Sequence, residues 1–239
     1  MTKLSVIIPV YNEKETVGEL LRRVAAVPVA PFDKEIIVVD DHSGDGTYER
    51  LEQLKGQAGF ILLRHEANRG KGAAVRTALA RASGDLVLLQ DADLEYDPAD
   101  YAKLLAAYGP ETPVVYGSRY LGRNRIGYVL LNWGNDLLTW LINVLFRARL
   151  TDINTCYKLF RTDLLRSLGL ESDGFDLEIE VTAKTLAAGN PIVEVPISYQ
   201  PRSFAEGKKI GWRDGLKDIA AIFWYRFRRP GALPDRRVR

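Results

Sequence analysis

The first half of the chain alternates short apolar runs with longer segments of helical periodicity. The apolar runs are continuous, as expected of strands that are covered on both faces. They span 4–10, 35–40, 60–64, 85–90 and 114–118. Helical patterns lie between them, at about 15–27, 47–55, 71–82 and 98–107. This alternation predicts an α/β fold with a mostly parallel sheet, right-handed crossovers and helices on both faces.

The second half of the chain is less regular. Apolar runs at 154–160 and 191–199 predict strands, and helical patterns lie at 128–150, 162–168, 176–188 and about 214–227. No internal repeat and no Gly/Ser/Pro-rich linker divides the chain. We therefore predict a single domain over 1–213, followed by an amphipathic and basic C-terminal segment over 214–239.

The predicted helix at 128–150 is amphipathic. Its polar residues are spaced by four, three and four positions and form one stripe, consisting of Asn132, Asp136, Thr139 and Asn143. Large apolar residues, including Trp133 and Trp140, occupy the wide remaining surface. Such an apolar face either packs against the sheet or a second copy of the chain, or lies at a membrane surface. Packing against protein and contact with a membrane both stay open as interpretations. Packing against a second copy of the chain would make a homodimer.

Composition restricts the chemistry. The 239 residues are 46% hydrophobic and 27% charged, which is typical of a globular protein with a full core. A single cysteine excludes an internal disulfide and favours a reducing, cytoplasmic compartment. The two histidines are His42, in an acidic turn, and His65, which we expect in a surface loop. A zinc site is therefore disfavoured, and any metal would be a hard cation held by carboxylates.

Charge is unevenly distributed along the chain. Residues 201–239 carry a net charge of +7, whereas residues 1–200 carry −5. The apolar run at 222–225 precedes several arginines, a combination suited to an anionic membrane surface. No nucleic-acid recognition motif accompanies these arginines, so we expect no nucleic-acid partner. The N-terminus lacks the pattern of a secretory signal, and no uncharged apolar stretch of about 18 residues predicts a membrane-spanning helix.

Acidic residues follow three of the predicted strands. Glu13 lies after the first strand, Asp40 and Asp41 end the second, and Asp91 and Asp93 follow the fourth. The carboxyl ends of parallel strands meet at the edge of the sheet where ligands bind. Like charges repel unless a cation lies between them. Because alternate residues beyond a buried strand can face one ion, a divalent cation at this aspartate pair is favoured, whereas a helix-capping role is favoured for Asp97.

A glycine-rich turn, Asn68-Arg69-Gly70-Lys71-Gly72, lies between the third strand and a helix. Glycines at this position let backbone N–H groups approach an anion such as a diphosphate. The same sequence is also typical of an ordinary turn that carries two solvated cations. The motif alone does not decide between these interpretations.

Five motifs, in order, resemble the family 2 glycosyltransferases of the GT-A fold: SVIIPVYNE, VVDDHSGDGT, NRGKGAAVRTAL, QDADLEYDP and GSRY. Three later segments resemble the branch that contains dolichol-phosphate mannose synthase and other polyprenyl-phosphate glycosyltransferases: TDINTCYKLFRTDLL, GFDLEIEV and EVPISYQPRSFAEGKKIGW. The match covers residues 4 to about 215. It implies an inverting transferase that takes mannose or glucose from a GDP- or UDP-linked donor, with Mg²⁺ or Mn²⁺, to a polyprenyl or dolichyl phosphate.

The same resemblance assigns residues to the nucleotide sugar and the metal. The residues implied in binding the nucleotide sugar are Pro9, Tyr11, Glu13, Val39, Asp41, Lys71, Asp91, Ala92, Asp93, Arg119, Arg202 and Lys208. Asp41 would accept a hydrogen bond from the base, and Asp91, Asp93 and Glu95 would hold the metal. The branch often shows R-x-x-G-E-S-K, whereas this chain has Arg202 followed by Ser-Phe-Ala-Glu-Gly-Lys-Lys. Lys208 is favoured by spacing for the phosphate role.

The catalytic assignments depend on the acceptor. Arg119 and Arg202, together with the cation that the catalytic Asp93 would hold, would neutralise charge that develops on the leaving diphosphate. A hydroxyl acceptor requires a general base, for which Asp176 or Glu178 is the candidate. These two carboxylates are equally typical of a charged first helical turn. An acceptor phosphate is already anionic and needs cationic positioning instead, by Arg119, Arg123 and Arg125.

Two alternatives stay open. The first keeps the donor chemistry but transfers the sugar to a soluble saccharide or small alcohol. The second is a non-catalytic module that binds a nucleotide sugar or a membrane. For the leading interpretation we expect a cytoplasmic protein that lies peripherally at the inner face of the membrane.

Overall fold

The computed structural model describes residues 2–122, 124, 129–202 and 212–227. Its strands are β1 (Lys3–Val10), β2 (Asp33–Asp40), β3 (Ile61–Arg64), β4 (Leu86–Leu89), β5 (Val114–Ser118), β6 (Lys158–Arg161) and β7 (Val193–Pro196). Its helices are α1 (Val17–Ala26), α2 (Thr47–Ala58), α3 (Lys71–Arg81), α4 (Tyr101–Ala107), α5 (Val129–Phe146), α6 (Thr162–Ser167), α7 (Leu177–Ala187) and α8 (Trp212–Phe227). A short 3₁₀ turn over Pro98–Asp100 precedes α4.

The seven strands form one sheet in the order β3-β2-β1-β4-β6-β5-β7. Only β6 runs antiparallel to its neighbours, β4 and β5. Consecutive residues of β1, β4 and β5 are buried, and because successive side chains point to opposite faces, both faces of the sheet are covered. The prediction of an α/β fold built on a mostly parallel sheet is confirmed.

Helix boundaries follow local signals. The Asp97 side chain accepts a hydrogen bond from the N–H of Ala99 at 3.0 Å, which confirms its predicted capping role. Helix α5 ends at Phe146, earlier than predicted, because Arg147 adopts a left-handed φ of 57°. The Asn143 side chain then bonds both the N–H and the carbonyl of Leu150, each at 2.8 Å, and so fixes the chain beyond the helix.

The apolar core has two parts. The larger surrounds the sheet, and the smaller joins α5, α7 and α8 through residues such as Ile142, Ile179 and Ile222, which are all wholly buried. Helix α8, where the predicted C-terminal segment begins, therefore packs against the rest of the protein. Residues 228–239 lie outside the described residues, and the division at 213/214 stays a prediction.

Helix α5 is oriented differently from the expectation of one polar and one apolar face. Thr139, from the predicted polar stripe, is buried together with Leu138 and Ile142, whereas Trp133 is 71% exposed and Trp140 58% exposed. Leu137 and Val144 are exposed on the same side as the tryptophans. The apolar surface is thus divided between the core and the exterior. No helix among the described residues is both long and apolar enough to cross a bilayer.

The amino-terminal edge of the sheet is closed by Glu35. Its carboxylate pairs with the Lys3 ammonium at 2.7 Å and accepts hydrogen bonds from Ser5 and from the Ser83 N–H and hydroxyl. The Gly84 N–H also donates to it, at 3.1 Å. Three neighbouring strands, β1, β2 and β4, are thus tied together at the edge opposite the acidic turns.

Candidate active site

Three turns at the carboxyl edge of the sheet share an unusual backbone. Asn12, His42 and Leu94 follow β1, β2 and β4, and their φ angles are 53°, 63° and 61°. Left-handed φ angles at residues other than glycine carry strain that concentrates at functional sites. The strand order reverses at β1, between β2 and β4, and ligands bind beside such a reversal. The fold therefore brings the three predicted acidic turns to one crevice.

Arg202 lies at the centre of this crevice. Its guanidinium makes a two-pronged ion pair with Glu13, with Nη1 and Nη2 each 3.0 Å from a carboxylate oxygen, and Nη2 lies 3.2 Å from Oδ2 of Asp93. The Arg202 N–H and the Tyr199 hydroxyl each donate to Glu95 at 2.8 Å. Arg202 thus connects the turn after β1 with the turn after β4, as the predicted shared site requires.

Lys71 occupies the other side of the aspartate pair. Its ammonium lies 2.7 Å from Oδ1 of Asp91 and 3.0 Å from Oε1 of Glu178. Burial lowers the pKa of Lys71, but these two carboxylates outweigh burial and raise the pKa well above its ordinary value. Glu178 also pairs with Lys158, whose side chain is wholly buried. Four charged side chains of alternating sign therefore run inward from Asp91.

The pKa of Asp93 is raised to about 7. Burial is the main cause, the negative charges of Asp91 and Glu95 add to it, and the Arg202 guanidinium opposes it. A further positive charge beside Asp93 would stabilise its ionised form. Asp91 and Asp93 supply the hard oxygen ligands that Mg²⁺ and Mn²⁺ prefer.

A complete metal cage is not preformed. Among the described residues, no three carboxylate, histidine or cysteine side chains are close enough together to hold a metal ion. Glu95, the third predicted ligand, has both carboxylate oxygens engaged by Tyr199 and Arg202. Because Mg²⁺ commonly uses one or two carboxylates together with substrate phosphates and water, the Asp91–Asp93 pair fits a cation that arrives with its nucleotide.

The glycine-rich turn at 68–72 is held by the protein itself. The N–H groups of Arg69 and Gly70 donate to Asp41, at 2.9 and 2.7 Å, and those of Gly72 and Ala73 donate to the Asp173 carbonyl, at 2.8 and 3.3 Å. A diphosphate would have to compete for these donors. The alternative of two solvated cations is wrong for Lys71, which is buried in ion pairs.

The environment of Asp41 corrects the expectation for His65. His65 is buried rather than a surface residue, with Nδ1 2.7 Å from Oδ1 of Asp41 and Nε2 2.9 Å from the Thr77 hydroxyl. Asp41 therefore organises the turn at 68–70 as well as lying in the predicted nucleotide pocket. Its neighbour Asp40, which belongs to the same predicted acidic turn, has Oδ1 buried without a hydrogen-bond partner in the described part of the chain.

The remaining predicted pocket residues surround the same crevice. Val39 is buried near the end of β2 and Ala92 in the turn after β4, Pro9 is half-buried near the end of β1, and Tyr11, just after β1, is 38% exposed. His42 adopts a left-handed conformation that favours glycine. Lys208, Arg123 and Arg125 lie outside the described residues.

Arg119 is tied to a partner that sequence reasoning missed. Its Nε and Nη2 each lie 2.7 Å from the wholly buried Asp152, and its guanidinium lies 5.1 Å from the centre of the Tyr199 ring. Glu194 in turn accepts hydrogen bonds from the N–H groups of Thr151 and Asp152, at 2.7 and 2.9 Å. The burial of Asp152 requires a cationic or N–H partner, but its polar sequence neighbours gave no sign of that burial.

The two candidate bases differ in their surroundings. Asp176 is half-buried at the start of α7 and accepts a hydrogen bond from the Gly174 N–H at 3.2 Å. Glu178 is buried between the ammonium groups of Lys71 and Lys158. Because its carboxylate is held by an ion pair on each side, Glu178 would have to break one of them to reach a substrate hydroxyl.

Comparison with known proteins identifies the family. Residues 5–169 match the model of glycosyl transferase family 2. The chain belongs to this family. The dolichol-phosphate mannosyltransferase of Pyrococcus furiosus is 30% identical over 217 residues, which cover 87% of this chain but only 60% of that protein. The undecaprenyl-phosphate mannosyltransferase of Micrococcus luteus is 30% identical over 231 residues, which cover 91% of this chain and 92% of that protein.

Solved structures agree on the fold. Glucosyl-3-phosphoglycerate synthase from Mycobacterium tuberculosis, in complex with Mn²⁺, UDP and glucosyl-3-phosphoglycerate, superposes with a TM-score of 0.72 over 94% of this family 2 chain and 80% of that chain. The sequences are 20% identical. The GT-A fold predicted from the motifs is thereby confirmed, as is the resemblance to the polyprenyl-phosphate branch of the family.

Proposed function

We propose that this family 2 protein transfers mannose or glucose, with inversion, from a GDP- or UDP-linked sugar to a polyprenyl phosphate. The observation that carries the proposal is the Arg202 centre, where one guanidinium joins Glu13 and Asp93 beside the Lys71–Asp91 pair. This arrangement concentrates movable positive charge beside carboxylates at the edge where the fold binds ligands. The names of the Pyrococcus and Micrococcus relatives support a lipid-phosphate acceptor.

The donor would bind with its diphosphate beside the aspartate pair. Pro9, Tyr11, Glu13, Val39 and Asp41 line the nucleotide end of the crevice. Asp91 and Asp93 would hold Mg²⁺ or Mn²⁺, which supplies positive charge to the leaving diphosphate. Arg202 adds a second positive charge from this chain, and Lys208 is predicted to add a third. These groups act on charge that grows in the transition state, so they raise turnover rather than only binding.

The acceptor would approach from the side of Arg119. An oxygen of an ionised phosphate attacks the anomeric carbon opposite the leaving diphosphate, which inverts the configuration there. This attack needs no strong base, because the phosphate is already anionic at neutral pH. Arg119, held rigidly by Asp152, would orient the acceptor, and Asp176 would serve as base only for a hydroxyl acceptor.

A lipid acceptor requires the protein to meet a membrane surface. The exposed stripe of α5, formed by Trp133, Leu137, Trp140 and Val144, offers an apolar face with tryptophans. Helix α8 contacts α5 and exposes Trp224 and Phe227 beside Arg226. We propose that these two helices rest on an anionic leaflet and place the crevice next to it, which corresponds to a peripheral location.

A transfer screen tests the proposed function. GDP-mannose, GDP-glucose, UDP-glucose and UDP-mannose are each offered with Mn²⁺ or Mg²⁺, together with a short-chain polyprenyl phosphate. A lipid-linked sugar formed from one donor, and only with a divalent cation, is the expected product. Parallel reactions with 3-phosphoglycerate and with small alcohols test the soluble-acceptor alternative. Nucleotide binding without turnover on any acceptor would instead favour a non-catalytic module.

A further inference from the structure

Glu178 connects the buried interior to the aspartate pair through Lys71. Its Oε1 lies 3.0 Å from the Lys71 ammonium, which in turn lies 2.7 Å from Oδ1 of Asp91. Lys71 thus has two carboxylate partners, one inside the protein and one at the crevice. Because a single ammonium serves both carboxylates, its position between them sets the distance to each, and so the attraction to each.

Lys158 fixes the inner end of this arrangement. Its wholly buried ammonium donates to the carbonyls of Ile153 and Thr155 and to Oε2 of Glu178. The Tyr116 ring lies 4.8 Å from the same nitrogen. With three acceptors for its three N–H groups, Lys158 is fully satisfied, so it holds Glu178 in one place rather than shifting toward Lys71.

Such a buried arrangement is costly if it serves only stability. Apolar side chains of similar volume often stabilise a core as well as a buried ion pair does, because they avoid the desolvation of charge. A control network exists on the same helix: Glu180 of α7 is also wholly buried and pairs with Lys184 at 2.6 Å, but it holds the backbone at 171–172. The Glu178 network differs because it ends on Asp91.

We propose that Glu178 is a positioning residue that acts through Lys71 and sets how readily Asp91 is released to a divalent cation. While Glu178 shares the Lys71 ammonium, Asp91 is held in place but only partly neutralised. The inference rests on the proposed function in one respect, namely that Asp91 and Asp93 hold the cation. It replaces the role of general base that the sequence suggested for Glu178.

Mn²⁺ binding to the full chain tests the proposal. The electron paramagnetic resonance signal of free Mn²⁺ measures the binding, in one series with saturating GDP and in another with saturating UDP. Glu178→Gln preserves the shape of the side chain but removes its charge, so Lys71 turns wholly to Asp91. We expect the Kd for Mn²⁺ to rise about tenfold. Lys71→Met releases Asp91, and we expect tighter Mn²⁺ binding with reduced turnover.

A double-mutant cycle separates positioning from simple charge. If Glu178 acts through Lys71, Glu178→Gln changes Mn²⁺ affinity in the native protein but not in the Lys71→Met background. A long-range charge effect would persist in both backgrounds and would overturn the proposal. Unchanged Mn²⁺ affinity in both single variants would overturn it as well. If Glu178→Gln does not fold, Glu178→Asp, which keeps the charge but shortens the reach to Lys71, takes its place in the cycle.

Two further variants distinguish a failure of the proposed cation site from a failure of the positioning role of Glu178. Lys184→Met removes the partner of Glu180 and is expected to lower thermal stability without changing Mn²⁺ affinity. Asp91→Asn tests the cation assignment itself. If Asp91→Asn binds Mn²⁺ normally, the proposed cation site fails; if Asp91→Asn loses Mn²⁺ while Glu178→Gln and Lys71→Met bind it normally, only the positioning role fails.

Discussion

At the scale of single residues, the crowding of carboxylates around Asp93 indicates a functional role. The negative charges of Asp91 and Glu95 crowd Asp93. Because like charges repel, this arrangement lowers stability, and such unfavourable arrangements concentrate at functional sites. We expect Asp93→Asn to lower turnover by about 100-fold or more, because it removes a charged oxygen ligand from the proposed cation site. Initial rates with the true donor and acceptor measure this loss.

Folding is the control for Asp93→Asn. The amide has the same shape and relieves repulsion at a buried position, so the variant should melt at the same temperature as the native protein or higher. Circular dichroism melting without added metal checks this point. A folded variant with full activity would show that Asp93 does not contribute to charge stabilisation.

Arg202 gives a second prediction at this scale. Its contact with Asp93 places the guanidinium beside the proposed cation site and leaving diphosphate. Arg202→Ala should therefore lower kcat by roughly 100-fold, while the affinity for a nucleoside monophosphate changes little. Arg202→Lys keeps the charge but loses the two-pronged pairing, so it should recover only part of the rate. Equal losses of kcat and monophosphate affinity would contradict this role.

Site residues were predictable where one charge pattern dictated their position. Asp91 and Asp93 were expected from their position beyond a buried strand and Arg202 only from the family resemblance, and the structure brings Arg202 to Asp93. The partners of Arg119 and Lys71 were not predictable in the same way, because Asp152 and Glu178 lie far away in sequence and meet them only through the sheet order. His65 was misplaced because nothing local distinguishes a histidine on an exposed loop from one that is buried by a distant aspartate.

At the scale of elements, the sequence pattern predicted the strand β6 but not its direction. Its apolar run predicted a strand, but a buried strand has the same pattern whichever direction it runs. The direction follows from the chain path, since α5 carries the chain away from β5 and β6 returns between β4 and β5. The parallel part could be predicted because strand–helix alternation dictates right-handed crossovers.

The Glu35 contacts give a prediction about how the elements are held together. Burial raises the pKa of Glu35, but Lys3, Ser5 and Ser83 outweigh burial and lower the pKa to about 2. A carboxylate with a depressed pKa stabilises the fold above its unfolded pKa and loses that effect as the pH falls toward 2. Glu35→Gln should therefore cost about 1 to 2 kcal/mol at pH 7 and almost nothing near pH 2.

Glu19 provides the matched control. Its pKa is also lowered to about 2, by hydrogen bonds from Arg22 and Arg23, but its side chain is 35% exposed, whereas that of Glu35 is 12% exposed. Glu19→Gln should change the melting temperature little at either pH, because water screens exposed ion pairs. Melting curves of both variants at pH 7 and at low pH test the difference, and catalytic rates at pH 7 should match the native protein in both. Equal destabilisation by both variants would contradict the stabilising role of the sheet-edge contacts.

At the scale of the whole molecule, the exposed stripe of α5 predicts binding to anionic vesicles. Each large apolar side chain that enters the interface contributes about 1.5 to 3 kcal/mol. Replacing Trp133 and Trp140 together by glutamine should therefore weaken vesicle binding by about 100-fold or more. Binding should also fall as salt rises, because basic residues near the leaflet are screened. Co-sedimentation with anionic and neutral vesicles measures both effects.

The opposite face of α5 supplies the control for vesicle binding. Ile142→Ala creates a cavity in the smaller core and should lower the melting temperature while leaving vesicle binding intact. Absence of sedimentation with anionic vesicles at low salt would reject the membrane contact. If the native protein then proves dimeric by sedimentation velocity and the double tryptophan variant monomeric, the stripe is an interface between two copies of the chain.

The close approach of two loops has a consequence for the motion of the site. A Cβ atom at Gly70 or Gly72 would lie 2.3 or 2.1 Å from the carbonyl oxygen of Asp173 or Ser172, so the backbones of the two loops touch directly. Arg76 fastens the same contact through the Ser172 carbonyl and the Asp173 carboxylate. The loop before α3 and the loop before α7 therefore behave as one rigid body. A motion that displaces Lys71 should therefore displace Asp176 as well. Nuclear spin relaxation measurements should then give the same exchange rate for both residues.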